Sequence, residues 1–306
     1  MSGGRRGNSL AELLVVVAIA GLAATTIDAT IVRQQRFYRG VSELRAVREG
    51  VRDAMEVLST DLRGMSVADS VRMRADSAIE FFAAVGVSVV CQSAGSEVGL
   101  APVHASGNSL SAFVVEPDTG DLALVYANSS EAGGRWEQYR IADFAPRPLA
   151  SSCPPLSGFS TQADLDTGAK GFSLTLATSL REDIKVGAPV RFARRARYSL
   201  YRASDGASYL GYRRCDAIGV SVCSGIQPVT GPYRSYSSDT RTTGLLFEYF
   251  DSAGRRLDPT ASPLALSRVD LTARSESAQR ASWLGQPSRI ADSATVSVAV
   301  RNRGQQ

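Results

Sequence analysis

Two Asp-Thr-Gly triplets, at positions 118–120 and 166–168, resemble a catalytic motif more than other residues of this chain do. Aspartic proteases pair two such loops so that two carboxyl groups share one proton. However, Pro117 breaks the strand that should precede the first triplet, and the interval between the triplets is too short for two protease lobes. Because Asp-Thr-Gly is also ordinary turn sequence, we interpret both triplets as turns.

Asp164 and Asp166, followed by Gly168, have the alternating carboxylates of a calcium-binding loop. The third acid and the distal glutamate of such a loop are missing, so a solvated turn is favoured and no metal site is predicted. His104 is the single histidine. It excludes zinc sites built on two or more histidines and leaves one residue for a Ser-His-Asp triad. An enzyme is therefore the least favoured class, and no cofactor is predicted.

The four cysteines, Cys91, Cys153, Cys215 and Cys223, form no C-x-x-C pair. A metal knuckle or a thioredoxin-like motif is therefore not indicated. An even number in an exported chain suggests disulfides. We favour Cys215–Cys223, which closes a short loop, together with Cys91–Cys153, the pair that remains. Reduced, buried thiols are the alternative.

Arginine supplies nearly all the cations of a chain whose net charge is only +4. In the strand predicted over 190–200, alternation places Arg191, Arg195 and Arg197 on one face. The other face has Phe192, Ala196, Tyr198 and Leu200. The arginine face is a candidate basic patch that could contact phosphates. A solvated sheet face is the favoured interpretation.

An acid, Glu12, stands at the front of an apolar run over 13–27. A helix that continues through Val32 is long enough to cross a membrane. Because Arg5 and Arg6 precede the run, the positive-inside rule places the N-terminus in the cytoplasm and the rest of the chain outside. A carboxylate costs about 2.5–3.5 kcal/mol at the centre of a bilayer and less near its surface, so Glu12 calls for an explanation.

Two explanations follow from the residues themselves. The segment has the basic start and apolar middle of a secretory signal peptide, with small residues at Ala18, Ala20 and Ala24 as cleavage points. Alternatively, Ser9 and Glu12 have the spacing of a capping box, in which the acid folds back on the first turn of a helix.

A third explanation rests on the string "GNSLAEL". Gly7, Ser9, Leu10, Glu12 and Leu13 match in register the leader of type IV pilins and of type II secretion pseudopilins. In that pattern a short basic leader ends in glycine and is followed by Ser or Thr, Leu, any residue, Glu and an apolar helix. The N-terminus of this chain therefore resembles that of the type IV pilin and pseudopilin family.

The resemblance implies that a prepilin peptidase cuts after Gly7 and methylates the new amino terminus at Asn8, where the family generally has phenylalanine or another apolar residue. It also implies that Glu12 pairs with the terminal amine of a neighbouring subunit, as an assembly contact. The partners implied are other major and minor pilins or pseudopilins, contacted through the N-terminal helix, and the inner-membrane assembly platform.

Beyond the apolar run, the sequence keeps a helical period as far as Gly64, where the helix is expected to end. This amphipathic stripe is of the kind that packs on a sheet or on a second helix, and a free coiled coil is the alternative. Its apolar residues are Val41, Leu44, Val51, Met55, Leu58, Leu62 and Met65.

From residue 78 onward, short β-type runs alternate with turns, and loops are predicted over 92–109 and 150–170. The "RYSLYR" strand, the "GLLFEYFDSAGR" hairpin and the alternating "VDLTA" strand resemble W-type minor pilins and J-type minor pseudopilins. The predicted fold class is α+β, a long N-terminal helix packed on an antiparallel sheet, without βαβ alternation.

The predicted organisation has four parts: a leader over 1–7, a transmembrane half-helix over 8–32, an amphipathic half-helix over 33–66, and a β-rich periplasmic domain over 67–306. The expected function is that of a minor pilin or pseudopilin in the inner membrane that helps to assemble or prime a filament. The alternative is a binding module at the filament tip, an adhesin or DNA receptor, which salt-dependent DNA binding would distinguish.

Overall fold

A computed structural model provides the architecture of the chain. It describes residues 10–65, 71–104, 109–129, 133–218, 222–281 and 288–300. The predicted leader, with Gly7 and Asn8, lies outside the described residues, as does Ser9 of the predicted capping box.

A single helix, α1, runs without a break from Leu10 to Gly64. At 1.5 Å per residue its 55 residues span roughly 80 Å. Glu12 lies in its first turn and Arg63 in its last, so both charges complement the helix dipole. The helix ends at the predicted glycine.

The packed stripe of α1 differs in part from the predicted one. Val51, Leu58, Leu62 and Met65 are buried as expected, whereas Val41, Leu44 and Met55 are only half-buried. Residues outside the predicted stripe are buried instead. They include Gly40, Val47, Gly50 and Ala54.

The rest of the described chain is mainly strand, and every pairing between named strands is antiparallel. This confirms the α+β class. The strands are β1 (Val71–Arg74), β2 (Ala78–Ala94), β3 (Glu97–Leu100), β4 (Ala112–Phe113), β5 (Leu122–Ser129), β6 (Gly133–Pro148), β7 (Lys170–Leu176), β8 (Pro189–Arg202), β9 (Ser208–Cys215), β10 (Gln227–Tyr233), β11 (Leu245–Phe250), β12 (Arg268–Ala281) and β13 (Ser288–Ala299).

An open sheet packs against α1. From β8 it continues through β9, β10 and β12, with β11 and β13 both paired to β12. The second half of α1 packs mainly on β10, β12 and β13. Its residues Ala54, Leu58 and Leu62 share a core with Phe247 and Leu271 of the sheet. The helix is thus held by a sheet, and the free coiled coil is not what the structure has.

A second group of strands closes on itself. Successive pairings run β2–β3–β7–β6–β5–β8 and return to β2. This closed ring has its own core, which includes Val90, Ile141, Leu174 and Phe192. Because β2 and β8 are long, they belong both to the ring and to the sheet under α1, and they join the two cores.

The predicted loops contain regular structure. The segment over 92–109 includes the whole of β3, and the segment over 150–170 includes most of a short helix, α2 (Leu149–Ser152), and the whole of another, α3 (Gln162–Asp166). Thr161 caps α3 with a capping box in which Asp164 is the reciprocal partner. Polar, Gly-rich and Pro-rich composition therefore conceals short elements, one of which, α3, is stabilised by side-chain capping.

Candidate assembly site on the N-terminal helix

The first half of α1 is an exposed apolar surface. Between residues 10 and 39 every described side chain except that of Val32 is exposed. The exposed stretch is roughly 45 Å long, but Arg33, Arg36 and Arg39 make its last part polar. The segment over 13–32 spans roughly 30 Å, about the hydrocarbon core of a bilayer. The large exposed hydrophobic side chains of the whole stretch are Leu10, Leu13, Leu14, Val15, Val16, Val17, Ile19, Leu22, Ile27, Ile31, Phe37 and Tyr38.

Composition identifies this half-helix as a candidate membrane anchor. An 18-residue window has a mean hydropathy of 2.1, and none of it is buried. A signal sequence near an N-terminus would pass the same test. A buried core helix would pass too, but its residues would be covered, and here they are not.

The threonine hydroxyl groups of this half-helix are satisfied within it. The hydroxyl groups of Thr25, Thr26 and Thr30 donate to backbone carbonyls three or four residues earlier, at 2.8–2.9 Å. Such bonds let a hydroxyl lie in hydrocarbon without an unpaired donor. Glu12 and Asp28 are the carboxylates of this stretch, and both are exposed. In the first turn, Glu12 faces the end of the helix where the backbone dipole favours negative charge.

The second half of α1 is attached to the sheet by hydrogen bonds that cross the interface. The Tyr233 hydroxyl donates to the Gly50 carbonyl at 2.6 Å, and the Thr230 hydroxyl donates to the same carbonyl at 3.2 Å. Burial raises the pKa of Tyr233 to about 12, so its hydroxyl remains a donor throughout the physiological range. Nothing in the spacing of the sequence singled out these residues, because the donors are 180 residues away or more.

Nearer the end of α1, the Tyr198 hydroxyl donates to the Asp61 carboxylate at 2.5 Å. Burial raises the pKa of Asp61, and the bond from Tyr198 opposes that rise. The folded state therefore binds the proton of Asp61 more tightly than the unfolded chain does. The associated stabilisation is present at low pH and is lost as the pH rises through the folded-state pKa.

The face of β8 that has the three arginines of the candidate basic patch is only partly exposed. Arg195 is 9% exposed and donates to Glu80 at 2.7 Å and to the Asp216 carbonyl at 3.1 Å. Exposed Arg191 lies over the ring of Trp136, 4.5 Å from its centroid. Arg197 is half-buried. The predicted alternation is right, but a small apolar cluster covers this face around Arg195. The cluster contains Phe82, Leu122, Leu124, Ala193 and Ala217.

The Asp-Thr-Gly at 118–120 contributes to an ion-pair cluster. Asp118 pairs with Arg214, and this hydrogen bond is the main reason that the pKa of Asp118 is lowered. Asp121, fully buried, pairs with Arg194 at 2.8 Å and with Arg214 at 3.0 Å. A carboxylate held by a guanidinium is not one that shares a proton with a second carboxylate, so the turn interpretation fits this triplet better than a protease loop.

Asp164 and Asp166 lie in the short helix α3, so the prediction that they lie in a turn is wrong. Asp164 accepts from the backbone amide and the hydroxyl of Thr161 at 2.7 and 2.8 Å. Asp166 accepts from Gln162 at 3.0 Å. These carboxylates cap and brace a short helix. His104 lies exposed between β3 and β4.

Both cysteine pairs are disulfide-bonded, Cys91 with Cys153 and Cys215 with Cys223. These are the two pairs that the sequence analysis favoured. Glu80, Cys215 and Cys223 lie close enough together to resemble a metal site. The two sulfurs are bonded to each other, however, and Glu80 is paired with Arg195, so these residues serve the fold.

Comparison with known proteins finds no match. No family model, no curated protein and no solved structure is significantly similar to this chain.

We expect non-reducing peptide mapping of the extracted protein to recover two intrachain disulfides, Cys91–Cys153 and Cys215–Cys223. The first links β2 to the chain after α2, across 62 residues, and a loop of that length contributes on the order of 4 kcal/mol in the chain-entropy estimate. Recovery of four free thiols would contradict both bonds and the oxidising compartment that they indicate.

Proposed function

We propose that this chain is a minor pilin or minor pseudopilin that takes part in assembling or priming a type IV pilus or a type II secretion pseudopilus. One observation carries the proposal. A single unbroken helix has an apolar first half whose described side chains, apart from that of Val32, are exposed, and a second half that packs on an antiparallel sheet. A subunit built in this way can exchange a bilayer for the helices of neighbouring subunits without unfolding its globular part.

In this proposal the protein is an inner-membrane protein with one membrane span. The N-terminus lies in the cytoplasm, and the strands lie in the periplasm or in a filament tip. The two disulfides fit an oxidising compartment on the side of the globular part. The partners are prepilin peptidase, the assembly platform and other pilins or pseudopilins.

Glu12 supplies the assembly chemistry. After cleavage behind Gly7, the new amine belongs to Asn8, four residues before Glu12 in the sequence. In a filament interior of low dielectric, a carboxylate of one subunit and an ammonium of another attract strongly. A carboxylate that does not meet the ammonium is desolvated with no attraction to offset the cost. The pair therefore favours one register between adjacent helices. This role is electrostatic, and no bond is made or broken after processing.

Processing tests the proposal. Co-expression with a prepilin peptidase is expected to shorten the chain by the seven residues of the leader, and Gly7→Val is expected to abolish the shortening, because it removes the glycine with which the leader of this family ends. Gly4→Val changes the same leader without touching the junction and is expected to be cut normally. Peptidase-independent cleavage beyond Ala18 in both variants would identify an ordinary signal peptide instead.

A further inference from the structure

A cavity of about 230 Å³ opens beside the last turns of α1, between that helix and strands β2, β8 and β9. It is smaller than the ~300–1,000 Å³ that drug-sized ligands occupy, so it suits a single side chain or a small ion. Its polar lining consists of the carboxyl group of Asp61, the tyrosines Tyr198 and Tyr212, and Arg194.

The charges around this cavity do not balance. Arg194 is held by Asp121, and Arg214 by Asp118 and Asp121. Asp61 accepts the hydroxyl of Tyr198, and no arginine or lysine in the described part of the chain forms an ion pair with it. When Asp61 is ionised, the cluster holds three carboxylates and two guanidinium groups, which leaves one negative charge uncompensated at the cavity.

Aromatic and apolar surfaces complete the lining. The rings of Tyr198 and Tyr212 lie 5.3 Å apart at an angle of 52°, and aromatic rings near a carboxylate attract cations. Val114 and Val115 also line the cavity and are 85% and 50% exposed. An apolar outer lining over an anionic, aromatic interior matches a side chain with an aliphatic stem and a cationic head.

We propose that this cavity binds the ammonium group of a lysine side chain from a partner protein. One oxygen of Asp61 already accepts from Tyr198, so the carboxylate cannot present both oxygens to the planar fork of an arginine. A compact ammonium needs only one. The occupant is a lysine of another protein. Of this chain's own two lysines, Lys170 and Lys185, the second already donates to the Glu182 carbonyl at 2.8 Å. The inference does not depend on assignment to the pilin family.

The probe is N-acetyl-lysine methylamide, and its side-chain-acetylated analogue, which has the same stem without the charge, is the control ligand. With full-length protein in detergent micelles, saturation-transfer NMR is expected to show contact from the lysine methylene protons of the first ligand alone. Asp61→Asn is expected to weaken that binding by about tenfold or more. Asp239→Asn, an exposed acid outside the cavity, is expected to leave it unchanged.

Two further measurements separate loss of the site from loss of the fold. Asp61→Asn keeps an acceptor for Tyr198 and removes a desolvated charge, so its melting temperature is expected not to fall. Val114→Lys, at an exposed position, is expected to abolish probe binding by placing a competing ammonium at the cavity. Equal binding of both ligands, unchanged binding by Asp61→Asn, or tighter binding of free cadaverine than of the capped lysine would overturn the proposal.

Discussion

Glu12→Ala is expected to leave the protein in the membrane and to remove it from the filament. The substitution makes the helix more apolar, so insertion should persist, and Gly7 remains for cleavage. Without Glu12, the incoming amine loses its partner in a medium of low dielectric, where breaking a buried pair costs about 3–5 kcal/mol. Crosslinking to neighbouring pilins, measured at equal abundance of both variants, should therefore fall on the order of a hundredfold.

Glu49→Ala is the matched control, because it removes an exposed carboxylate from the packed half of the same helix and should crosslink as the wild type does. If Glu12 acted only at the start of the helix, its loss would cost about 0.5–2 kcal/mol of local helix stability and assembly would largely survive. Unchanged crosslinking by Glu12→Ala would thus remove the assembly role.

Glu80→Ala is expected to destabilise the globular part by about 3–5 kcal/mol, because it leaves Arg195 charged and buried without a counter-charge. Glu80 is 3% exposed and Arg195 9%, so water cannot replace the lost partner. Urea unfolding at constant detergent concentration, followed by tryptophan fluorescence, measures the change in unfolding free energy.

Glu248→Ala is the control for this second experiment. Glu248 pairs with Arg256 at 3.5 Å, and the two side chains are 31% and 58% exposed. Solvent screens such a pair, so its loss should cost no more than about 1 kcal/mol. The double variant Glu80→Met with Arg195→Met should recover much of the lost stability, because apolar side chains can replace a buried pair. Equal effects of Glu80→Ala and Glu248→Ala would contradict the burial that the structure assigns to Arg195.

The long helix and most strands were predictable because their signals are local. The apolar period of α1 and its stop at Gly64 are visible in one stretch of sequence, and so is the hairpin of β8 and β9 through Gly206, whose φ is 83°. The strand β10 was missed, since Pro228, Gly231 and Pro232 are typical of a loop. It is a strand because its neighbours β9 and β12 pair with it.

The closing of the ring of strands was not predictable from the local pattern of apolar residues. The ring closes because β2 pairs with β8, which lies more than 90 residues away, and no alternation of apolar residues encodes that partner. For the same reason, alternation placed Arg195 on the correct face but could not indicate that Phe82 and Ala217 cover that face. The partner of Gly50, a tyrosine 183 residues away, was hidden in the same way.

The most direct test of the proposed family is the intact mass of the mature protein, extracted from the membrane of cells that contain a prepilin peptidase. The mature chain is expected to begin at Asn8 and to carry one added methyl group on its amino terminus, with the apolar half of α1 retained. A chain that begins between Ala20 and Thr25, or one that keeps the whole leader in the presence of the peptidase, would contradict the proposed family.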